Sequence, residues 1–341
     1  MHVAASAVEV VSRHQGRQAL VAFLLAVFLA YVLAATLYPV LHWQSSRAVV
    51  WKMLVAAAVL ACPLLIPAER IVGRAFAALV CGDLFFRLMD LTRQARRAGT
   101  SSATWQDYAQ FLIPFPAMLV VYGAKQRLDS PNSVFAIAAL VPVAAGGTVF
   151  LGALALTLAA TQSAVLRASF WLDHAVKVAL FAVAIESLSQ ALWGLERLAG
   201  FKTQPIVNWA ILSRTPAEFW SRYNDRVHDW LYFNVFIPSG GMRTPFRGQI
   251  AVFLISALFH ELMFGIATSQ FNGYQATFFL LQIPAVMLSR GLKRLSQAWG
   301  IAGQIIARGL TILWMGATSV FFFHGVDRVF PFVYASEPWL P

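Results

Sequence analysis

The sequence predicts an all-α integral membrane protein, a polytopic bundle of about eight transmembrane helices with re-entrant or interfacial helices. The 341-residue chain is 59% hydrophobic and only 12% charged, whereas soluble domains carry about 25% charged residues. Apolar stretches of about 20 residues, the length that a helix needs to cross a bilayer, recur along the chain. No polar stretch is long enough for a separate soluble domain, so we expect a single membrane domain over residues 1–341.

The apolar stretches define the predicted spans. The first follows Arg13 and Arg17, and because it is longer than a signal-peptide core of roughly 7–15 residues, we expect a retained helix. A shorter stretch, Phe111–Gly123, is interrupted by Pro114 and Pro116 and is expected to re-enter the membrane or to lie in its interface. The eight predicted spans are Leu20–Val40, Val49–Pro67, Ile71–Met89, Ser133–Ala160, Trp171–Trp193, Gln249–Ser269, Gln275–Leu292 and Ile305–Phe323.

Basic residues outnumber acidic ones. Lys and Arg number 26 and Asp and Glu 15, which gives a formal net charge of +11. Membrane topology and contact with anionic lipids account for this excess, and attraction for a phosphate-bearing substrate such as a CoA thioester is a compatible second interpretation. Glu196–Arg247 and Arg290–Ile301 are basic, whereas the turn Phe271–Tyr274 between the spans that they flank is uncharged. The positive-inside rule therefore places the two basic segments on the cytoplasmic side.

The chain lacks the sequence motifs of several protein classes. Cys62 and Cys81 lie in apolar segments without a CxxC pattern, so we expect both to be packing residues. No GxSxG elbow, P-loop or Rossmann fingerprint occurs, and there is no nucleic-acid-binding module. We therefore expect no nucleic-acid partner, no metal and no resident cofactor.

A polar and aromatic segment precedes the sixth predicted span. Thr215 at the N-cap, Pro216 at the first helical position and Glu218 at the third predict the start of a helix. This helix is expected to run toward Trp230 at the headgroup boundary, with its aromatic residues in the interface and its basic residues reaching outward.

The same predicted helix carries a polar face. Asn224 and His228 are four residues apart and are expected to share one side of the helix. Two interpretations are open. The residues form the hydrated face of an interfacial helix, with Arg222 and Arg226 in local ion pairs, or they belong to a functional site.

A histidine stands in the middle of the sixth predicted span. Burying an ionisable residue at that depth costs a few kcal/mol or more unless it is paired or hydrated, so His260 is a candidate for function. A histidine bonded to a neighbouring backbone is the alternative. Position 264 is Phe264 rather than the second histidine of a zinc-binding HExxH motif. Glu261 points about 100° away from His260 around the helix and is expected to orient a neighbour.

Other titratable residues inside the predicted spans are expected to be structural. Asp83 and Glu186 are expected to pair with a basic residue on another helix or to face a polar cavity. His174, Lys177 and His324 lie near the ends of spans and are expected to be interfacial.

Two segments of the sequence together resemble a known family. They are similar to the membrane-bound O-acyltransferase superfamily, and most similar to its wax-synthase-type branch, whose members carry a Phe-Trp-…-Asn segment before a Ser-Ala-x-x-His helix. The resemblance covers roughly Arg214–Gly265, inside the signature region 196–270. The matching patterns are Phe219-Trp220-x-x-Tyr223-Asn224-x-x-Val227-His228-x-Trp230 and Ser256-Ala257-Leu258-Phe259-His260-Glu261.

The resemblance implies an acyl-CoA-dependent O-acyltransferase. His260 matches the catalytic histidine of the family, Asn224 its second signature residue, and His228 a position that often follows. Acyl transfer needs a base for the alcohol proton, which suits imidazole, and hydrogen-bond donors for the oxyanion, which suits an amide. The residues expected to bind substrate are His228, Glu261, Trp220, Tyr223, Arg222 and Arg226.

Several substrates and one other class stay open at this point. The expected partners are acyl-CoA as co-substrate, a hydrophobic alcohol as acceptor and membrane lipids. The expected location is the cytoplasmic membrane if the source is bacterial. Short-acyl transfer to a sugar or secondary-metabolite hydroxyl is the closer alternative. A proton-coupled transporter using His260, Glu261, Asp83 and Glu186 is the more distant one, and it predicts internally repeated halves that the sequence lacks.

Overall fold

Twelve α-helices make up most of the described chain in the computed structural model, as the all-α prediction requires. The structure describes residues 2–41, 43, 45–97, 104–122, 125–128 and 133–335. In these residues the extended chain is limited to one antiparallel bridge between Arg127 and Phe201. The helices are α1 (His2–Ala35), α2 (Ser46–Ala61), α3 (Ile71–Arg97), α4 (Trp105–Leu112), α5 (Ser133–Ala160), α6 (Ala164–Arg167), α7 (Phe170–Leu198), α8 (Pro216–Tyr223), α9 (Asp225–Leu231), α10 (Pro245–Thr268), α11 (Tyr274–Ala298) and α12 (Gly300–Val329).

Six helical segments of the described chain are long and apolar enough to cross a membrane. Each coincides with one of the eight predicted spans, and many of their large apolar side chains are exposed, as expected where the surrounding solvent is lipid. The six segments are Gln18–Val40, Ser46–Leu65, Ile137–Ala160, Phe170–Leu198, Pro245–Thr268 and Gly300–Val329.

The other two predicted spans are helical but more polar than these six. Ile71–Met89 lies in α3 and contains two arginines and an aspartate. Gln275–Leu292 lies in α11, where Gln275 and Gln282 interrupt the apolar run. The predicted count of eight is therefore not confirmed, and these two spans stay predictions.

The chain folds into two compact units. Unit 1 comprises Met1–Pro114 and Leu262–Asn272, and unit 2 comprises Phe115–Glu261 and Gly273–Pro341. The prediction of a single membrane domain over residues 1–341 stays a prediction.

In unit 1, buried charges are bonded to nearby groups. The guanidinium of Arg87 on α3 pairs with Asp83 at 2.6 Å and donates to the carbonyl oxygen of Phe111 at 2.6 Å. Lys52 on α2 donates to two backbone carbonyl oxygens at 2.6 and 2.9 Å. These bonds offset the cost of keeping charge away from water. The partner of Asp83 lies on the same helix, one turn away, rather than on another helix as expected.

In unit 2, glycines bring α5 and α7 close together. A Cβ atom built on Gly146 would lie 2.5 Å from the carbonyl oxygen of Ser187, and one built on Gly194 would lie 2.7 Å from the Val143 side chain. Neither position has room for a larger residue. Small residues at a helix contact let two backbones approach, which strengthens van der Waals packing between membrane helices.

Polar side chains join α11 and α12, also in unit 2. The buried Gln282 side chain donates to Thr318 Oγ1 at 3.1 Å and accepts from the indole N–H of Trp314 at 3.3 Å. Such interhelical hydrogen bonds fix the register of two apolar helices that have no hydrophobic driving force between them in lipid.

The stretch Phe111–Gly123 contains no spanning helix. Helix α4 ends at Leu112, and residues 113–122 follow as irregular chain around its two prolines. Gly123 lies outside the described residues. The absence of a helix over 113–122 agrees with the sequence prediction, while the re-entrant or interfacial position of the stretch stays a prediction.

Candidate active site

His260 lies in the spanning helix α10 with only one of its ring nitrogens bonded. Its Nδ1 lies 2.8 Å from the backbone carbonyl oxygen of Ser256, one turn earlier. A carbonyl oxygen only accepts hydrogen bonds, so Nδ1 carries the hydrogen and the lone pair of the neutral ring is on Nε2. Within the described residues, Nε2 has no protein hydrogen-bond partner. It is therefore available to take a proton from a bound molecule.

The ring of His260 borders a buried aromatic cluster. The ring centroids of His260 and Phe279 on α11 are 4.1 Å apart, with the planes 30° from parallel. Phe279 in turn lies 5.5 Å from Trp220 of α8. Phe279 thus contacts both the histidine of α10 and the signature tryptophan of α8, and Phe253 of α10 also lies 5.7 Å from Trp220. The aromatic cluster consists of Phe219, Trp220, Phe253, Phe278, Phe279, Phe321 and Phe322.

The indole N–H of Trp220 is a hydrogen-bond donor that lies inside this apolar cluster. Its Nε1 is buried and has no hydrogen-bond partner in the described part of the chain. A buried donor without a partner costs about 1–3 kcal/mol. The predicted substrate-binding role of Trp220 is thus compatible with its surroundings, because a substrate oxygen would satisfy this donor.

Asn224 divides the predicted interfacial helix in two. The start is as expected, since the Thr215 hydroxyl accepts from the Glu218 amide at 3.2 Å. The helix then ends at Tyr223, because Asn224 takes a non-helical conformation with φ −153° and ψ 86°. A second helix, α9, starts at Asp225. The expectation of one continuous helix toward Trp230 is therefore wrong.

The side chain of Asn224 caps the second of these helices. Its Oδ1 accepts from the Val227 amide at 3.1 Å, the arrangement that makes asparagine a good N-cap. Among the described residues, its Nδ2 donates only to the thioether sulfur of Met118, at 3.7 Å, and a thioether is a weak acceptor. One end of the amide is fixed by the backbone, and the other retains donor capacity.

His228 lies one turn after Asn224, but its side chain is exposed. The backbone amide of His228 donates to the Asn224 carbonyl oxygen at 2.8 Å. The imidazole is 46% exposed, and its Nδ1 lies 3.8 Å from Asp229 Oδ1. Burial, reinforced by the repulsion of Asp229, raises the pKa of the neighbouring Asp225 above its usual value. The contacts of His228 do not connect it to the aromatic cluster.

Arg226 lies in a buried ion pair. Its guanidinium bonds the Glu196 carboxylate through two N–H groups, at 2.8 and 2.6 Å. It also donates to the carbonyl oxygens of Gln204, at 2.7 Å, and of Ala117. The side chains are 5% and 0% exposed. Protein acceptors thus engage most of the donors of Arg226, so its contacts are structural, and its predicted role in binding substrate stays a prediction.

Arg222 and Tyr223 end helix α8 with different surroundings. Arg222 pairs with Glu218 at 2.7 Å, and its side chain is 37% exposed. The ring of Tyr223 stacks on Phe219 with centroids 5.3 Å apart. Burial raises the pKa of Tyr223 to about 12, so its phenol stays neutral at physiological pH. A substrate role for either residue stays a prediction.

Glu261 binds the start of α11. Its two carboxylate oxygens accept from the amides of Gly273, at 2.8 Å, and Ala276, at 3.2 Å. A carboxylate at a helix N-terminus satisfies free N–H groups and interacts favourably with the helix dipole. This contact fits the expectation that Glu261 orients a neighbour, and its use in binding substrate stays a prediction.

A family model matches most of the region that holds these residues. The model of MBOAT, the membrane-bound O-acyltransferase family, matches residues 150–326, just over half of the chain. The chain belongs to this family. With its six apolar helices, this MBOAT protein is a multi-pass integral membrane protein.

Named relatives match a shorter part of this MBOAT chain. Diacylglycerol O-acyltransferase 1-2 of Oryza sativa subsp. japonica is 31% identical over 84 residues, 24% of this chain and 17% of the relative. Diacylglycerol O-acyltransferase 1C of Glycine max is 28% identical over 83 residues, covering 24% and 16%. Diacylglycerol O-acyltransferase 1-1 of Oryza sativa subsp. japonica is 30% identical over 84 residues, covering 24% and 15%. The match thus spans about a sixth of each relative.

Two titratable residues predicted to be interfacial are buried in this MBOAT protein. His174 on α7 is 3% exposed, and both its ring nitrogens are engaged. Nδ1 lies 2.7 Å from the Tyr334 hydroxyl, and Nε2 lies 2.9 Å from the Gly316 carbonyl oxygen and 3.1 Å from Ser319 Oγ. Lys177, one turn later, is 2% exposed and donates to the Val333 carbonyl oxygen. These side chains bind α12 and the chain that follows it, and their interfacial depth in the membrane stays a prediction.

The remaining predicted structural residues also have local contacts. Glu186 accepts from the Trp209 amide with both carboxylate oxygens, at 3.1 and 3.0 Å, rather than pairing with a base. His324 is buried at 3% exposure and lies 4.5 Å from the Tyr274 ring, and its interfacial depth in the membrane stays a prediction.

Sequence reasoning missed two residues that define the site. Glu196 marks the edge of the signature region, but its bond to Arg226 crosses 30 residues and has no periodic signal. Phe279 stands in an apolar run, where nothing in a single sequence separates it from Phe278 beside it. Asn224 followed by Asp225 is a typical N-cap and first-turn pattern, and that signal was available for the helix break.

Proposed function

We propose that this MBOAT protein is an acyl-CoA-dependent O-acyltransferase that esterifies the hydroxyl group of a hydrophobic alcohol. The observation that carries the proposal is the hydrogen bonding of His260. Its Nδ1 is bonded to a carbonyl oxygen at 2.8 Å, which leaves the Nε2 lone pair for a substrate. A positioned imidazole is the most common general base in proteins.

The neutral and the protonated imidazole of His260 each take part in one step of the proposed reaction. His260 Nε2 takes the proton of the alcohol as its oxygen bonds to the thioester carbonyl carbon, and the carbonyl oxygen becomes an oxyanion. When the tetrahedral intermediate collapses, the C–S bond breaks. The imidazolium then returns its proton to the leaving thiolate, giving the ester, the free CoA thiol and neutral His260.

Asn224 is the proposed donor to the oxyanion. Its Oδ1 is held by the Val227 amide, so the plane of its carboxamide is set before substrate binds. Its Nδ2 makes only a weak contact with sulfur, so exchanging that contact for a charged oxygen is favourable. Donors aimed at developing charge are among the largest contributions to catalysis of acyl transfer.

A lipophilic acceptor fits a base that is carried by a membrane-spanning helix. An alcohol dissolved in the bilayer reaches such a helix without leaving the apolar phase, while the polar part of the donor stays at the aqueous boundary. The wax-synthase-like segment supports a fatty alcohol, giving a wax ester. The similarity to proteins named diacylglycerol O-acyltransferase supports a second acceptor, the free hydroxyl of diacylglycerol. The chemistry needs a base and hydrogen-bond donors but no further cofactor.

The test measures two products from one reaction. Purified protein in detergent is given acetyl-CoA or palmitoyl-CoA with a fatty alcohol, with diacylglycerol or with no acceptor. Release of CoA thiol and formation of ester are measured together, with the same detergent buffer lacking the protein as the blank. Alcohol-dependent thiol release with palmitoyl-CoA and a matching amount of wax ester is the expected result.

Other outcomes separate the alternatives. Preference for acetyl-CoA would favour short-acyl transfer, and preference for diacylglycerol would replace the fatty alcohol as acceptor. Absence of thiol and ester from a folded protein across a broad panel of alcohols would overturn the proposal. It would leave a proton-coupled transporter as the interpretation to test next.

A further inference from the structure

The proposed base lacks the carboxylate that often accompanies a catalytic histidine. In a Ser–His–Asp triad, a carboxylate at Nδ1 orients the ring and stabilises the imidazolium that forms. Here Nδ1 faces the Ser256 carbonyl oxygen instead. The adjacent carboxylate of Glu261 is bonded to the backbone of α11. The positive charge that develops on His260 therefore needs another source of stabilisation.

The aromatic face of Phe279 lies beside the imidazole ring of His260. The centroids of His260 and Phe279 are 4.1 Å apart, with the planes 30° from parallel. The other rings near His260 are about 2 Å farther, Phe259 at 6.1 Å and Phe322 at 6.2 Å. The face of a benzene ring is its negative region, and it attracts a cation within about 6 Å of the centroid.

Phe279 is held firmly in this position. It is 4% exposed, and three rings surround it, Phe278 at 5.1 Å, Trp220 at 5.5 Å and Phe322 at 6.4 Å. A ring enclosed in this way does not need to reorganise when charge appears beside it. Preorganised electrostatics of this kind lower a barrier more than a mobile group does.

We propose that Phe279 is a positioning residue whose π face stabilises the imidazolium of His260 during acyl transfer. This inference rests on the proposed function and adds a second role to a residue that looks like ordinary core packing. Neutral His260 gains little from the ring quadrupole, whereas protonated His260 gains more. The interaction is thus stronger in the charged intermediate than in the ground state, which is the condition for raising kcat.

The test changes the charge distribution of the ring while nearly keeping its shape. Phe279 is replaced by mono-, di- and trifluorophenylalanine through site-specific incorporation into the full chain. Each fluorine withdraws electron density from the π face, so attraction for a cation weakens in steps. We expect kcat to fall stepwise, by about tenfold in total, with KM unchanged. The chemical step is measured in single-turnover reactions, since product release would hide the effect.

Phe278 supplies the matched control. It belongs to the same aromatic cluster and contacts Trp220 and Phe279 but makes no ring contact with His260. The same fluorinated series at position 278 is expected to leave kcat unchanged. Phe279→Leu removes the face altogether, and its thermal unfolding midpoint reports how much of its effect is loss of packing.

The outcomes distinguish this inference from the proposed function. A flat series at position 279, in a protein that does transfer acyl groups, would overturn the role of Phe279 and leave the base intact. Equal slopes at positions 278 and 279 would also overturn it, because the effect would then come from general packing. A wild-type protein without acyl transfer would overturn both.

Discussion

Two histidines in spanning helices of unit 2 differ in how the protein uses their nitrogens. His174 on α7 has both ring nitrogens engaged, by the Tyr334 hydroxyl, the Gly316 carbonyl oxygen and Ser319. His260 on α10 has Nδ1 bonded to Ser256, and Nε2 has no protein hydrogen-bond partner among the described residues. Depth in an apolar helix therefore does not separate a structural histidine from a reactive one. Under the proposed function, the unbonded Nε2 of His260 is what distinguishes it from His174.

The same contrast extends to two residues that follow Tyr223, the signature residue Asn224 and its neighbour Arg226. Arg226 has most of its donors bonded to Glu196 and to backbone oxygens. Asn224 has one end of its amide fixed and the other held only by a sulfur atom. Bonded groups stabilise the fold, while groups with spare capacity are available to a substrate.

The strongest test of the comparison removes Nε2 of His260, the ring nitrogen without a protein partner in the described residues. His260→Ala is expected to lower kcat by about 10²–10⁴, the usual contribution of a general base. Its thermal unfolding midpoint reports the separate effect on stability of losing the Ser256 hydrogen bond and the contact with the Phe279 ring. Retained turnover in the variant would remove His260 as the base.

The ion pair of Arg226 should act on stability. Arg226→Met leaves the Glu196 carboxylate buried without its partner, so we expect a loss of about 3–5 kcal/mol in the free energy of unfolding. The matched control is Arg222→Met on the preceding helix, whose pair with Glu218 is partly exposed and is worth at most about 1 kcal/mol. Denaturation in detergent would compare the two. Equal losses would mean that the Arg226 pair is no more structural than a surface one.

Two substitutions of Asn224 should separate its role as a helix cap from its proposed role as a donor to the oxyanion. Asn224→Asp keeps an oxygen acceptor for the Val227 amide but removes the N–H donor, so kcat is expected to fall by about 100-fold with the fold intact. Asn224→Ala removes the cap as well and should lose about 1 kcal/mol of stability in addition. Full activity in the aspartate variant would show that the amide donor does not contact the reacting oxygen.

The smallest expected effect is at the saturated histidine. His174→Phe removes the ring nitrogen that pairs with the Tyr334 hydroxyl, so a loss of about 1–3 kcal/mol in stability is expected. The kcat of the folded fraction should be unchanged, as measured by activity normalised to folded protein. A large fall in kcat at normal stability would reverse the contrast between the two histidines.

Much of the fold followed from hydropathy, because a bilayer imposes a length and a polarity that one sequence displays. Helices coincide with all eight predicted stretches, and six are apolar enough to span. The helix break at Asn224 was missed because the aromatic residues on both sides suggested one amphipathic element, while a local capping bond decides the geometry.

The candidate site was predictable only where its chemistry is rare. His260 stands out because a titratable group in an apolar run is unusual. Its neighbour Phe279 does not, because an aromatic residue in such a run is common. The ion pair of Arg226 and Glu196 was out of reach for a related reason, since pairing across 30 residues depends on tertiary structure rather than on local pattern.

The bond between Glu261 and the first turn of α11 sets a spacing rule for the site. Glu261 holds Gly273 and Ala276, and Phe279 follows one turn after the second of them. A residue inserted between Ala276 and Phe279 would rotate the phenyl ring about 100° around the helix, away from the imidazole. The number of residues from 273 to 279 thus sets the position of the phenyl ring relative to Glu261, the residue next to His260. The length of this interval therefore matters to the contact as much as the phenyl ring itself.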